Sequence, residues 1–247
     1  MLTCDPRVVA GAHCLRSISF AEAEQMAKSC AKVLHPATVA PAVRQGIPIA
    51  IRNSRNPGAA GTMIVKENPC NSAVMSIACR TGVVLLRLTA HNTPVTAEFA
   101  REIWDAFENA GVELIAMTRK ELSVMVDAAA LTSEFQNRLS CVAQFEVEAN
   151  RALVSLVGHR ASRNPSNLAR ASQQLCRIPG GAILACCSDS RFAFVVAAEA
   201  LTATAEAPHN EFFGQPDPAF FIPNRASVAV IRGFAVRTAS SSPAKAC

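Results

Sequence analysis

The sequence has no long apolar run, few charges and no basic cluster, and each absence argues against a class of protein. No apolar stretch approaches the roughly 20 residues that a membrane helix needs, and Asp5 and Arg7 precede any apolar core, unlike in a secretory signal. Charged residues make up 17% of the chain, and the net charge of +5 comes from scattered arginines. A nucleic-acid-binding surface normally requires clustered basic residues. We therefore predict a cytoplasmic protein with neither a membrane nor a nucleic-acid partner.

Sequence motifs for cofactors are also missing. The ten cysteines contain no C-x-x-C pair and the five histidines are scattered, so no metal site is predicted. Cys79 and Cys186 lie inside apolar runs, where cysteine acts as a small hydrophobic residue, and in the cytoplasm we expect most thiols to be reduced. Neither G-x-x-x-x-G-K-[ST] nor G-x-G-x-x-G occurs, so the two common phosphate-binding loops are absent.

The first 68 residues show an α/β pattern. Half of the 247 residues of the chain are hydrophobic, which is enough for packed cores. Ser19 and Glu22 have the spacing of a capping box at a helix start, and Gly46 is placed to end a second short helix. Strands are predicted at Ile47–Arg52 and Gly61–Val65. This layer is too small to close a core alone.

After Pro69 the pattern becomes a repeat with a period of about seventy residues. Each copy contains a strand, a helix, two strands and a helix, which implies paired ferredoxin-like sheets with helices on one face. The elements of the first copy are Val83–Thr89, Ala97–Ala110, Val112–Met117, Leu122–Val126 and Ser133–Val142. Those of the second copy are Ala152–Val157, Ser166–Cys176, Ala182–Cys187, Phe192–Val196 and Glu199–Glu206.

Several short motifs follow one another in the order and spacing of a known family. They are Cys4-Asp5-Pro6-Arg7-Val8-Val9, Ile18-Ser19-Phe20-Ala21-Glu22-Ala23, Ala31-Lys32-Val33-Leu34-His35-Pro36, Gly46-Ile47-Pro48-Ile49, Arg52-Asn53, Asn56-Pro57 and Gly61-Thr62. With these motifs the chain resembles the C-terminal part of aspartate kinase, which phosphorylates aspartate with ATP on the route to lysine, methionine and threonine.

The resemblance covers residues 1–214 and implies a fold of the α/β (α+β) class. It predicts a remnant of an amino-acid kinase α/β domain over residues 1–68, followed by two interlocked, ferredoxin-like ACT domains (βαββαβ) over residues 74–214. Residues 215–247 are expected to be an unassigned, loose tail.

The resemblance assigns Arg7 and Lys32 to an ATP site, and ATP is the cofactor that it implies. Cations at these positions suit phosphate oxygens, although Lys32 at a helix end also complements the helix dipole. The K-F-G-G motif of the family and its aspartate-binding residues are absent. Phosphoryl transfer requires donor, acceptor and clamping charges together. We therefore assign no catalytic residue and expect the chain alone not to phosphorylate aspartate.

The resemblance also places an amino-acid effector, of the lysine or threonine class, between residues 93–100 and 113–121. Where the family commonly has Asp this chain has Ile115, and the Ser-Glu pair of the family is Lys120-Glu121. Phe99 matches the family, but it and Glu121 can also be a core aromatic and a solvated strand-end charge. The full candidate set is Thr96, Phe99, Ala100, Glu113, Leu114, Ile115, Lys120 and Glu121.

ACT domains in the family also pair between chains. We expect a homodimer through exposed strands such as Val83–Thr89 and Ala152–Val157, or a complex with an intact aspartate kinase chain. The strand Val74–Arg80 is expected to add to the second unit. The main hypothesis is a regulatory, amino-acid-binding and dimerising chain. The alternatives are a truncated or mis-called part of a full ATP-dependent aspartate kinase, and a stand-alone amino-acid sensor.

Overall fold

The computed structural model describes residues 1–29, 36–56, 58–68, 74–91, 94–107 and 112–222. The described chain forms a small N-terminal α/β portion followed by a six-stranded antiparallel sheet with helices packed on it. None of the helices in these ranges is both long and apolar enough to cross a membrane.

The N-terminal portion is built around a three-stranded sheet in the order β2-β4-β3, in which β2 is parallel and β3 antiparallel to β4. The predicted capping box is present, because the Ser19 side chain accepts from the Glu22 amide while the Glu22 carboxylate accepts from the Ser19 amide. The second helix ends before Gly46, whose φ of 66° is readily adopted by glycine. The elements are β1 (Cys14–Leu15), β2 (Ser17–Ser19), α1 (Phe20–Lys28), α2 (Pro36–Gln45), β3 (Ile49–Ile51) and β4 (Thr62–Val65).

The six-stranded sheet has the order β6-β7-β5-β8-β10-β9. Its helices lie between strands in the chain, and short 3-10 turns precede α4, α5 and α6. The elements are β5 (Ser76–Ala90), α3 (Ala97–Phe107), β6 (Glu113–Met117), β7 (Leu122–Asp127), α4 (Ser133–Val142), β8 (Ala143–Val157), α5 (Pro165–Leu175), β9 (Ile183–Ser188), β10 (Arg191–Ala197), α6 (Leu201–Phe213) and β11 (Phe221–Ile222).

Two long strands interlock the two repeats. The second half of β5 pairs with β7 and with the first half of β8, which gives the first unit the order β6-β7-β5-β8. The first half of β5, Ser76–Arg80, pairs instead with the end of β8 beside β10 and β9. The strand before the first repeat therefore completes the second, as the resemblance implied. Gly82, at φ 67°, lies where the pairing register of β5 shifts between the halves.

Three apolar clusters hold the described chain together. In the first unit, α3 and α4 cover one face of β5 and β7. In the second unit, α5 and α6 cover β8 and β10, and this cluster continues into α1 and β4 of the N-terminal portion. The third cluster joins the opposite faces of the two units and includes Val83, Met125, Leu153 and Val195. Because β6 and β9 also approach each other, the sheet curls and brings its two ends together.

The mixed α/β fold class with two ferredoxin-like units is confirmed, but three expectations are corrected. The strands Val83–Thr89 and Ala152–Val157 are not exposed, because both lie in the centre of the sheet. The second of these begins nine residues earlier, at Ala143, because its first half supplies the fourth strand of the first unit. Residues 215–222 are not a loose tail, since β11 pairs with β1 and Phe221 is buried against Phe213.

Candidate functional site

A wide cleft lies between the N-terminal segment and the sheet. Its volume is about 690 Å³, and it opens beside the Cys4–Arg7 motif, the first half of β5 and Leu201. Backbone hydrogen bonds fix its walls, because the Ile77 amide donates to the Thr3 carbonyl over 2.6 Å. The cleft therefore lies at the boundary between the predicted kinase portion and the predicted regulatory sheet.

Arg7 stands at the rim of this cleft and is already paired. Its guanidinium donates to the Asp5 carboxylate at 2.7 Å, and its side chain is 88% exposed. Hydrogen bonding to Arg7 lowers the pKa of Asp5 below its usual range, and the same pairing raises the pKa of Arg7. A phosphate group at this position would therefore compete with Asp5 for the guanidinium of Arg7. Lys32, its predicted partner in the ATP site, lies outside the described residues.

The predicted effector region is centred on the start of α3 and the turn between β6 and β7. Thr96 accepts a hydrogen bond from the Phe99 amide at 3.2 Å, which caps the helix. The Val95 amide donates to the Arg119 carbonyl at 2.9 Å. This backbone hydrogen bond brings the two predicted stretches together. Phe99, however, is 6% exposed and belongs to the helix-covered core, as the alternative interpretation expected.

The remaining candidates differ in exposure. Ala100 packs against the same core and Ile115 against the cluster between the units. Leu114 is 43% exposed on the edge strand β6, and Lys120 is exposed in the turn before β7. The surface beside β6 therefore carries an apolar side chain, Leu114, and a cationic one, Lys120.

Glu121 is held in a network of charges that crosses β7, β5 and β8. Its Oε1 accepts from Ser123 Oγ at 2.6 Å and from Arg87 Nη1 at 3.2 Å. Arg87 Nε donates to Glu148 at 2.7 Å, and Arg151 binds the second oxygen of Glu148 at 2.6 Å. The hydrogen bond from Arg87 is the largest cause that lowers the pKa of Glu148. Glu121 is therefore not a simple solvated charge.

Glu113 takes part in a second polar cluster, where three parts of the fold meet. Its carboxylate pairs with Arg191 at the start of β10, and the other end of that guanidinium donates to Ser29 Oγ, at the end of α1, over 2.7 Å. Arg80 pairs nearby with Asp127 at 2.8 Å. A cavity of about 250 Å³ lies beside Lys28, Arg80, Glu113 and Arg191.

Sequence reasoning missed Arg87, Arg191, Ser29 and Asp127 because their partners are 34 to 162 positions away in the chain. The only available signal was charged or polar residues at the ends of otherwise apolar strands. Within the described ranges, no three His, Cys, Asp or Glu side chains are grouped so that they could hold a metal ion.

A model of the amino acid kinase family matches residues 1–53. This match falls on the N-terminal α/β portion of the structure, ahead of the two ferredoxin-like units.

The more specific likeness is to aspartokinases. The lysine-sensitive aspartokinase 3 of Escherichia coli (strain K12) is 35% identical over 171 residues, which are 65% of this chain and 38% of that protein. Aspartokinase 3, chloroplastic, of Arabidopsis thaliana is 32% identical over 166 residues, 65% of this chain and 29% of that protein. Over the matched part, the chain is therefore aspartate kinase-like.

Solved structures agree with this likeness. The crystal structure of E. coli aspartokinase III in complex with aspartate and ADP (R-state) has a TM-score of 0.77 at 30% identity and covers 86% of this chain. The same comparison covers 50% of that aspartokinase chain. This chain thus spans half or less of the length of these relatives.

Proposed function

We propose that this chain provides the regulatory region of an aspartate kinase: an amino-acid-binding and dimerising pair of ACT domains over residues 74–214, joined to part of the kinase domain over residues 1–68. The observation that supports this most is the single apolar cluster shared by the second unit and the N-terminal portion. Because α1 packs into that cluster, a displacement of the sheet acts directly on the kinase portion.

The proposed effector is an amino acid of the lysine or threonine class. E. coli aspartokinase III, the relative with a TM-score of 0.75 in its T-state, has been solved in complex with lysine and aspartate. In this chain the Glu121 carboxylate lies next to the exposed turn between β6 and β7. It already accepts hydrogen bonds from Arg87 and Ser123. An effector ammonium group is a donor of the same kind.

Isothermal titration calorimetry of the purified chain with lysine, threonine and methionine tests this assignment. We expect one of the three to bind and Glu121→Gln to weaken that binding at least about tenfold, since one charge-assisted hydrogen bond contributes roughly 1.5–3 kcal/mol. Glu134→Gln, at an exposed site on α4, is the matched control and should leave binding unchanged. Failure of all three amino acids to bind would contradict the effector assignment.

The proposed dimer uses the edge strand β6 and a second copy of the chain. Leu114 and Met117 are 43% and 45% exposed on this strand, and Trp104 on the adjoining helix is 41% exposed. Exposed apolar side chains that lie close together favour burial against a second copy of the chain. We expect light scattering to give a dimer that Leu114→Lys with Met117→Lys converts to a monomer. Met63→Lys, at a 41% exposed site on β4, should leave the dimer intact.

The cleft beside the Cys4–Arg7 motif offers a nucleotide little among the described residues. Arg7 is the one arginine in its lining, and this side chain is paired with Asp5. We therefore derive no catalytic step, and we propose that the chain alone forms no aspartyl phosphate from ATP and aspartate. The hydroxamate assay measures this product directly, and turnover at the rate of an ordinary kinase would overturn the proposal.

A further inference from the structure

Two thiols meet at the base of the large cleft. Cys4 follows Thr3 in the N-terminal segment and is 3% exposed, whereas Cys79 on β5 is half-buried. Both line the cleft of about 690 Å³. The backbone brings them together, because the Ile77 amide donates to the Thr3 carbonyl at 2.6 Å and the Ser76 hydroxyl donates to the carbonyls of the same segment.

The two thiols also influence each other. Hydrogen bonding with Cys79 lowers the pKa of Cys4, although burial acts in the opposite direction. A lowered pKa favours the thiolate of Cys4, which is the nucleophilic form. Neither cysteine is part of a disulfide bond in the structure.

We propose that Cys4 and Cys79 form a reversible oxidation site, at which hydrogen peroxide or a small organic hydroperoxide converts the two thiols into one disulfide bond. Disulfides require the two Cβ atoms to be roughly 3.5–4.5 Å apart. Cys4 and Cys79 line the same cleft on backbone segments that are hydrogen-bonded to each other, so the two thiols can reach this separation with little backbone movement. The burial of Cys4 favours a small peroxide over a bulky disulfide such as oxidised glutathione.

The chemistry proceeds in two balanced steps. The Cys4 thiolate attacks one oxygen of hydrogen peroxide, the O–O bond breaks, and the released hydroxide takes up a proton to leave water and the Cys4 sulfenic acid. The Cys79 sulfur then attacks the Cys4 sulfur, the S–O bond breaks, and the second water leaves with the thiol proton. In total two thiols lose two electrons and two protons, and one peroxide is reduced to two waters.

The disulfide would close a loop from Cys4 to Cys79 and fasten the segment that carries Asp5 and Arg7 to β5. That segment otherwise contacts the sheet through the hydrogen bonds near Ile77 and through side-chain packing. The oxidation site therefore controls how firmly the N-terminal portion is attached to the regulatory sheet, and it does so whether or not an amino-acid effector binds.

Peptide mapping of the full 247-residue chain tests the proposal. The protein is treated with equimolar hydrogen peroxide, remaining thiols are blocked with iodoacetamide, and the digest is analysed by mass spectrometry with and without dithiothreitol. We expect a cross-linked peptide that joins Cys4 to Cys79, lighter by two hydrogen atoms than the two peptides together and lost on reduction. The exposed thiols of Cys141 and Cys176 should stay available to iodoacetamide for longer.

Single variants separate this mechanism from general oxidation. Cys79→Ser should leave the Cys4 sulfenic acid without its resolving thiol, so that dimedone labels Cys4, whereas dimedone should not label it in the parent chain. Cys141→Ser should leave the cross-link unchanged. Absence of the Cys4–Cys79 peptide, or oxidation of Cys141 as fast as Cys4, would overturn the proposal.

Discussion

The polar junction around Arg191 gives the sharpest test of how the three parts of the fold are held together. The side chain of Arg191 is 8% exposed and that of its partner Glu113 is 13% exposed. The same guanidinium donates to Ser29 on α1 at 2.7 Å. One side chain therefore connects the edge strand of the first unit, the second unit and the N-terminal portion.

The perturbation is Arg191→Met, which keeps much of the side-chain length but removes the charge. The Glu113 carboxylate would then stay buried without its counter-ion. Removing one partner of a buried ion pair costs about 3–5 kcal/mol. We expect the free energy of unfolding to fall by that amount in urea titrations followed by far-UV circular dichroism. The fluorescence of Trp104, the sole tryptophan, reports on the first unit in the same samples.

Two further variants identify the cause. In the double variant with Glu113→Met no buried charge is left alone, so we expect most of the lost stability to return. Arg163→Met is the matched control, because Arg163 also makes a short pair, of 2.6 Å with Asp189, but both of these side chains are 62% exposed. The explanation is refuted if Arg191→Met and Arg163→Met shift the urea midpoint equally, or if the double variant is no more stable than the single one.

Two other predictions concern pH and packing. Burial and the nearby His13 lower the pKa of His209 from 6.5 to about 4, so the folded state favours the neutral ring. This preference stabilises the folded state fully above pH 6.5, and about 3 kcal/mol of that stability is lost as the pH falls towards 4. Urea titrations at pH 7 and pH 4.5 should show a smaller loss for His209→Gln than for the exposed-site control His159→Gln, and equal losses would contradict this assignment. Ile103→Ala on α3 should lower the free energy of unfolding by about 2–5 kcal/mol, because Ile103 is completely buried. Trp104→Ala, at an exposed position, should lower it far less. Thermal unfolding compares the two variants, and similar losses of stability would show that α3 does not pack through Ile103.

Local patterns predicted most of the elements because each depends on neighbours in the chain. The capping box of Ser19 and Glu22 and the alternation of Leu122 with Val124 need only short-range geometry. The first half of β8 also has this alternation, with Ala143, Phe145 and Val147 between polar residues, so its missed strand signal was local. Its pairing with β5 could not be read from that pattern, because the partner strand is distant in the chain.

The candidate site was less predictable for the same reason. Position 121 was identified by resemblance, but the charge that faces it comes from Arg87 on another strand. Similarly, Glu113 was assigned to an effector, while the structure pairs it with Arg191, 78 positions away. Which charges meet is decided by the curl of the sheet, and no local pattern encodes that.

The network around Glu121 determines what an effector at this position would have to displace. Arg87 binds Glu148 at 2.7 Å through Nε and reaches Glu121 at 3.2 Å through Nη1, so its contact with Glu121 is the longer of the two. An ammonium group that took the place of Nη1 would break this one contact, and Arg87 would remain anchored to Glu148. The exchange replaces this long contact by a charge-assisted hydrogen bond of ordinary length, roughly 2.7–2.9 Å, which is the stronger of the two. Because lysine and threonine share the α-ammonium group, the selectivity between them must come from the groups that contact the rest of the ligand, on the α3 side of the turn.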